Sequence, residues 1–132
     1  MIPVAFDYER AASTEQALNL LAEHGDEAKL IAGGHSLLPL MKYRLAAPAV
    51  LIDIGRLEEL SYIRDEGEEL AIGALTRHCD VEHSDLVRSQ VGLLAAATSE
   101  VGDPQVRHRG TIGGAMAHGD PASAPPAALI AL

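Results

Sequence analysis

Apolar residues recur along the first third of the chain with two different periods. Ala17, Leu18, Leu21 and Ala22 follow helical spacing behind Ser13 or Thr14, either of which can cap a helix. Gln16 is placed for a capping box with Ser13, and Gly25 marks a stop. The run from Lys29 to Ala32 then reads as a buried strand, followed by a glycine loop and a short helix to about Arg44. Ser36 is the expected cap of that helix and Pro39 falls in its first turn. Ala49 to Ile54 reads as a further strand. The result is a β–α–β unit whose strands should be parallel with a right-handed crossover, which puts the glycine loop at the C-terminal edge of a strand, where open α/β sheets bind ligands.

Beyond Ile54 the pattern changes. Leu60–Arg64 and Glu69–Ile72 flank Asp65-Glu66-Gly67 as an antiparallel hairpin, and Leu86 to Val101 predicts one amphipathic helix with an alanine-rich centre. The expected fold class is therefore α+β in two lobes. Residues 1–55 form a small parallel lobe and residues 56–132 a mixed or antiparallel one, with no low-complexity linker and no internal repeat beyond two glycine pairs.

Composition narrows the function classes. The chain has 132 residues with 10 Lys and Arg against 19 Asp and Glu, a formal net charge of −9. It lacks the basic field that binds nucleic acid. Hydrophobic residues make up 48% and aromatics 3%, without Trp, so the core must rest on Leu, Ile, Val and Ala. No apolar run approaches the ~18 residues of a membrane span, and Met1 to Ser13 carries acidic residues in place of a signal pattern, which predicts a cytoplasmic protein. Cys79 is the single cysteine, so internal disulfides and a thiolate-held iron–sulfur cluster on this chain alone are excluded.

Candidate chemistry concentrates at the glycine pairs, Ala32-Gly33-Gly34-His35-Ser36 and Thr111-Ile112-Gly113-Gly114-Ala115. Read as loops, both allow positive φ and bring main-chain N–H groups close to an anion, as a phosphate cradle requires; read plainly, both are turns. His35 would act mainly through its main chain, and the Thr111 hydroxyl can donate to a phosphate oxygen or cap a turn. Arg107 and Arg109 read as solvated. The cluster His78-Cys79-Asp80-Val81-Glu82-His83 holds metal-ligand types, but its spacing is off a common helical face, so it reads as a solvated helix start and no metal ligand is assigned. His118 and Asp120 lack a nucleophile in any recognisable setting, and no catalytic residue is assigned.

The strings AGGHSLLPLMKYRLAAP (32–48) and TIGGAMAHGDPASAPPAAL (111–129), with Ile2-Pro3, Phe6-Asp7-Tyr8 and Asp103 to Arg107, resemble the flavin subunit of molybdenum hydroxylases, nearest the medium subunit of the carbon monoxide dehydrogenase type. The resemblance implies a two-lobed FAD-binding domain, with FAD lying between the lobes and touched by one glycine segment from each. It also implies an oxidoreductase complex. Its substrate would be oxidised at a molybdopterin centre on a large subunit, electrons would pass through two [2Fe-2S] clusters on a small subunit, and the flavin would hand them to an external acceptor such as a quinone or NAD. The partners implied are thus those two subunits of a heterotrimer, which can itself dimerise. Family members continue past the apolar helix that ends at Leu132, so the chain is expected to be the N-terminal part of such a subunit. Where the family typically has Asn and Asp, this chain has Ala115 and Ala124. Those departures keep two other readings open, a remnant that holds FAD weakly or not at all, and a general nucleotide or phosphate module.

Overall fold

A computed structural model describes residues 1–132, which divide into two compact units, Met1–Leu57 and Glu58–Leu132. The first is built on a three-stranded parallel sheet of β1 (Asp7–Arg10), β2 (Ala28–Ile31) and β3 (Val50–Asp53), in the order β1-β3-β2. β3 lies between the other two, so both its edges are paired. Val50, Leu51 and Ile52 are all buried, and such a continuous apolar run is the signature of a central parallel strand. The strand expected as buried, Lys29 to Ala32, is instead an edge. β2 starts one residue earlier, and Lys29 and Leu30 are exposed.

Helix α1 (Thr14–His24) packs against β2 and β3, and Ala11, Ala17, Ala28, Val50 and Ile52 form the core. Its cap is the expected one: Ser13 Oγ accepts from Gln16 N at 3.1 Å. The reciprocal bond is displaced by one residue, since Gln16 Oε1 accepts from Ala12 N at 2.7 Å and not from Ser13. Helix α2 (Leu37–Lys42) lacks the Ser36 side-chain cap that its sequence predicts. The Ser36 backbone already has helical angles, φ −104° and ψ −48°, whereas a capping residue stays extended to reach back to the first free amides. The end of α2 is a Schellman turn: Leu45 N donates to Leu40 O at 2.8 Å and Arg44 N to Met41 O at 3.0 Å. Arg44 occupies the left-handed position at φ 58°, where glycine is usual.

The second unit opens with the expected hairpin, β4 (Ile63–Asp65) and β5 (Leu70–Ile72), antiparallel around a turn with Gly67 at φ 89°. Six helices follow: α3 (His78–His83), α4 (Asp85–Gln90), α5 (Gly92–Ser99), α6 (Pro104–Arg107), α7 (Ile112–His118) and α8 (Ala124–Ala131). The single helix expected over Leu86–Val101 is two helices. Val91 leaves the helical region at φ −137° and ψ 54°, and Gly92, a poor helix former, starts the second one. The break lets α5 pack on α3, α4 and α8 together, where Val81, Val87, Leu94, Ala95, Ile112 and Ala128 form the core. α8 runs for two turns; it buries Pro125 and Ala128 and exposes Ile130. No helix is long and apolar enough to cross a membrane.

Candidate functional site

The first glycine segment leaves the C-terminal end of β2, where Ile54 N donates to Ile31 O at 3.0 Å and fixes the edge of the sheet. Gly34 has φ +77°, a conformation open to glycine; a Cβ there would stand 2.9 Å from Leu38 Cδ1. Leu38 N donates back to Gly34 O at 2.9 Å, so the segment turns directly into α2. The amides of Gly33, Gly34, His35 and Ser36 donate to no acceptor in the chain. These are four successive unpaired N–H groups on half-buried or exposed residues, two of them without side chains. Ala32 and both glycines are half-buried, while the side chains of His35 and Ser36 are exposed.

The second glycine pair is differently built. It is the first turn of α7 and not a loop. Thr111 is the N-cap, 3% exposed, and its Oγ1 accepts from Gly114 N at 3.2 Å. Ile112 N donates to Thr76 O at 3.0 Å, Gly113 N to Ala74 O at 2.8 Å and Ala115 N to Thr111 O at 3.0 Å. Every amide from Ile112 to Ala115 is therefore bonded within the chain. Glycine is required here by close packing: a Cβ on Gly113 would lie 2.6 Å from Ala74 Cβ and 2.7 Å from Ala74 O. Gly114 is exposed, and a Cβ on it would meet only Thr111 Oγ1, at 2.7 Å. Ala115 is half-buried in α7, and Ala124 is exposed at the first position of α8.

The His78–His83 cluster is a helix start, α3, but solvated only in part: Asp80 and His83 are exposed, while His78 and Val81 are buried. His78 is 4% exposed, with Gly110 so close that a Cβ there would lie 2.7 Å from the ring carbon Cδ2. Burial lowers the His78 pKa, and its Nδ1 has no hydrogen-bond partner. Glu82 pairs with Arg107, Oε2 to Nε 2.9 Å, with side chains 17% and 16% exposed, and Arg107 also donates to Val101 O at 3.1 Å. The arginine expected in solvent thus clamps α6 to α3; the signal was a carboxylate 25 positions upstream, which no local pattern exposes. Arg109 is exposed, and its carbonyl accepts from the Arg77 guanidinium. Burial, with the neighbouring Asp80 carboxylate adding to it, raises the Cys79 thiol. No three His, Cys, Asp or Glu side chains are arranged to hold a metal ion.

At the C-terminal edge of β3 lies a group that sequence patterns do not reveal. Asp53 Oδ1 accepts from Gly55 N at 2.7 Å, and its Oδ2 accepts from the Tyr8 hydroxyl of β1. The Tyr8 pKa is raised, chiefly because its hydroxyl donates to that carboxylate.

Residues 4–132 match the family model described as the FAD binding domain in molybdopterin dehydrogenase. The chain is 51% identical over 132 residues to the carbon monoxide dehydrogenase medium chain of Hydrogenophaga pseudoflava, covering all of this chain and 46% of that one. It is 47% identical over 132 residues to the 6-hydroxypseudooxynicotine dehydrogenase complex subunit alpha of Paenarthrobacter nicotinovorans, covering all of this chain and 45% of that one. Among solved structures, carbon monoxide dehydrogenase from H. pseudoflava lacking the Mo-pyranopterin moiety of its cofactor superposes with TM-score 0.93 at 52% identity, over 96% of this chain and 44% of that one. The chain thus spans about half the length of the curated relatives it matches.

Proposed function

The chain belongs to the family of FAD binding domains of molybdopterin dehydrogenases, and we propose that it binds FAD as part of the flavin subunit of a molybdenum hydroxylase complex, an oxidoreductase. The observation that carries this reading is the run of four free amides, Gly33 to Ser36, at the exit of β2. The residues present fit the cofactor: a diphosphate needs several donors and a backbone it can approach closely, and Gly33-Gly34 supplies both. No carboxylate falls within Ala32–Ser36 to oppose the charge.

In this reading Ala32, Gly33, Gly34, His35 and Ser36 hold the diphosphate through main-chain N–H groups. Thr111, Ile112, Gly113, Gly114 and Ala115 contribute a second contact of another kind, a helix start where the exposed Gly114 offers backbone with no side chain in the way. When bound, FAD supplies the redox chemistry, accepting electrons and passing them on, while the protein supplies binding and orientation. No acid or base on this chain is needed. The electrons would come from [2Fe-2S] clusters of a small subunit, reduced in turn by a molybdopterin-bearing large subunit, and would leave to an external acceptor. Substrate choice would then lie outside this chain, consistent with relatives named for unlike substrates. A cytoplasmic setting is part of the same proposal, in keeping with a single cysteine that is a free thiol.

Titrating FAD into the chain and following flavin fluorescence tests the reading. Saturable binding by the native sequence, and its loss in Gly34→Val with an unchanged circular dichroism spectrum, is the expected result. The reading fails if the native sequence binds no FAD, or if Gly34→Val binds equally well.

A further inference from the structure

Three strand exits meet at Asp53. In register it stands opposite Arg10 of β1 and Ile31 of β2, at the C-terminal end of the central strand. Its carbonyl accepts from Ala11 N at 3.0 Å, which ties down the exit of β1. Its side chain joins two further pieces, the Tyr8 hydroxyl on one oxygen and Gly55 N on the other. The Gly55 bond holds the turn after β3 against the start of the free-amide segment, because Ile54 N donates to Ile31 O and a Cβ on Gly55 would stand 3.5 Å from Ala32 O. Ala32 is the residue immediately before the four free amides.

We propose that Asp53, oriented by Tyr8, is a positioning residue that holds the turn at Gly55 against Ala32 and so fixes the Gly33–Ser36 amides in one geometry before a ligand arrives. It touches no ligand in this role. The physical reason lies in the segment itself. Gly33, Gly34, His35 and Ser36 make no hydrogen bonds through their amides, two of the four are glycines with the widest backbone freedom, and only carbonyls tie the segment to α2, Gly34 O to Leu38 N at 2.9 Å and Ser36 O to Leu40 N at 3.3 Å, so its amides are held weakly from within. A carboxylate accepting from a backbone N–H is a charge-assisted bond, stronger than a neutral one, and here its effect passes through one turn to the neighbouring strand exit. Preorganised donors bind an anion without the entropy loss that ordering them on binding would impose. The proposal rests on the FAD reading for its ligand but not for its geometry.

The experiment compares the native chain with Asp53→Ala, Asp53→Asn and Tyr8→Phe, reading backbone amide order parameters without ligand and FAD dissociation constants separately. In Asp53→Ala the Gly33–Ser36 order parameters should fall from about 0.85 to below about 0.6, while those of Val50 and Ile52 stay rigid. FAD affinity should fall about tenfold, the loss expected for one charge-assisted hydrogen bond. Asp53→Asn keeps an oxygen for Gly55 N and should hold the Gly33–Ser36 order parameters near about 0.85 and the FAD affinity within about threefold of native, a rescue that a role through charge alone would not give. Tyr8→Phe should give a smaller loss of the same kind, and it decides the matter where Asp53→Ala fails to fold. Native order parameters and affinity in Asp53→Ala, or in Tyr8→Phe where that variant decides, overturn the proposal, as does an Asn variant that behaves like Ala. A native chain that binds no FAD removes the cofactor reading, and the order parameters then decide the positioning role alone.

Discussion

Replacing Gly113 by alanine should destabilise the second unit by about 1–3 kcal/mol, although alanine is the better helix former. The added methyl would lie 2.6 Å from Ala74 Cβ, 2.7 Å from Ala74 O and 2.8 Å from Ala74 Cα. Two of those three atoms are backbone, so no rotamer change relieves the clash. Overpacking of this kind costs about 1–3 kcal/mol. Moving the two segments apart also stretches the Gly113 N to Ala74 O bond of 2.8 Å, about 1 kcal/mol for a typical intramolecular hydrogen bond. Helix propensity returns at most about 1 kcal/mol. The neighbouring Gly114→Ala is the control. Its methyl meets only the Thr111 hydroxyl, at 2.7 Å, so a weakened cap worth about 1 kcal/mol opposes a propensity gain of similar size and the net change is near zero. Urea unfolding without flavin measures both, provided the slope with denaturant is unchanged. Equal stability of Gly113→Ala and the native chain, or an equal loss in Gly114→Ala, would refute the packing explanation of this glycine pair.

Arg44→Gly should stabilise the first unit by about 0.5–1 kcal/mol, because the Schellman turn holds Arg44 at φ 58°, where a Cβ is strained; a melt showing no gain would mean that the arginine side chain offsets the strain. His78 is held neutral by burial, so its folded pKa lies below the 6.5 of the free imidazole. At pH well above 6.5 neither state carries the proton; as pH falls past 6.5 only the unfolded chain takes it up, and stability declines until the pH reaches the lower folded value. His78→Leu should flatten that part of the stability–pH profile, and parallel profiles for the two proteins would sink the assignment. Tyr8 should ionise above the usual 10, and Asp53→Asn should bring its phenolate absorbance transition down, since the carboxylate that accepts its hydroxyl proton is the main cause of the shift. The raised value means that this bond contributes to stability below pH 10 and is lost as pH rises through the folded pKa.

Much of the fold is legible where burial and local pattern agree. Val50 to Ile52 reads as a strand because a central parallel strand is apolar on both faces, and the Asp65–Gly67 turn announces its hairpin. β1 leaves no such trace. Its sequence is Asp-Tyr-Glu-Arg, charged and mostly exposed, and it is a strand only because β3 offers its edge. The break at Val91 is only half visible: Gly92 is a poor helix former, but apolar residues continue at helical spacing across it, and the advantage of two helices over one lies in packing against α3 and α8. Glu82 and Arg107, or Tyr8 and Asp53, are distant in sequence, and each looks like an ordinary surface residue until the chain folds.

The two glycine pairs show where reading a motif must be joined to reading its cap. As dipeptides they are identical, yet one leaves four amides free and the other leaves none in its turn. The difference lies three residues before the second glycine of each pair. At Gly114 that residue is Thr111, an N-cap whose hydroxyl takes the Gly114 amide and whose carbonyl takes that of Ala115. At Gly34 it is Ile31, which has no side-chain acceptor; the chain instead turns at φ +77°, and its N–H groups stay unpaired. A hydroxyl residue at that offset therefore marks a glycine pair built for helix entry and close packing. An apolar strand residue there, followed by a glycine at positive φ, marks one whose backbone donors remain available to an anion. By that criterion the anion site we propose lies at Gly33–Ser36, with the Thr111–Ala115 segment contributing through its shape.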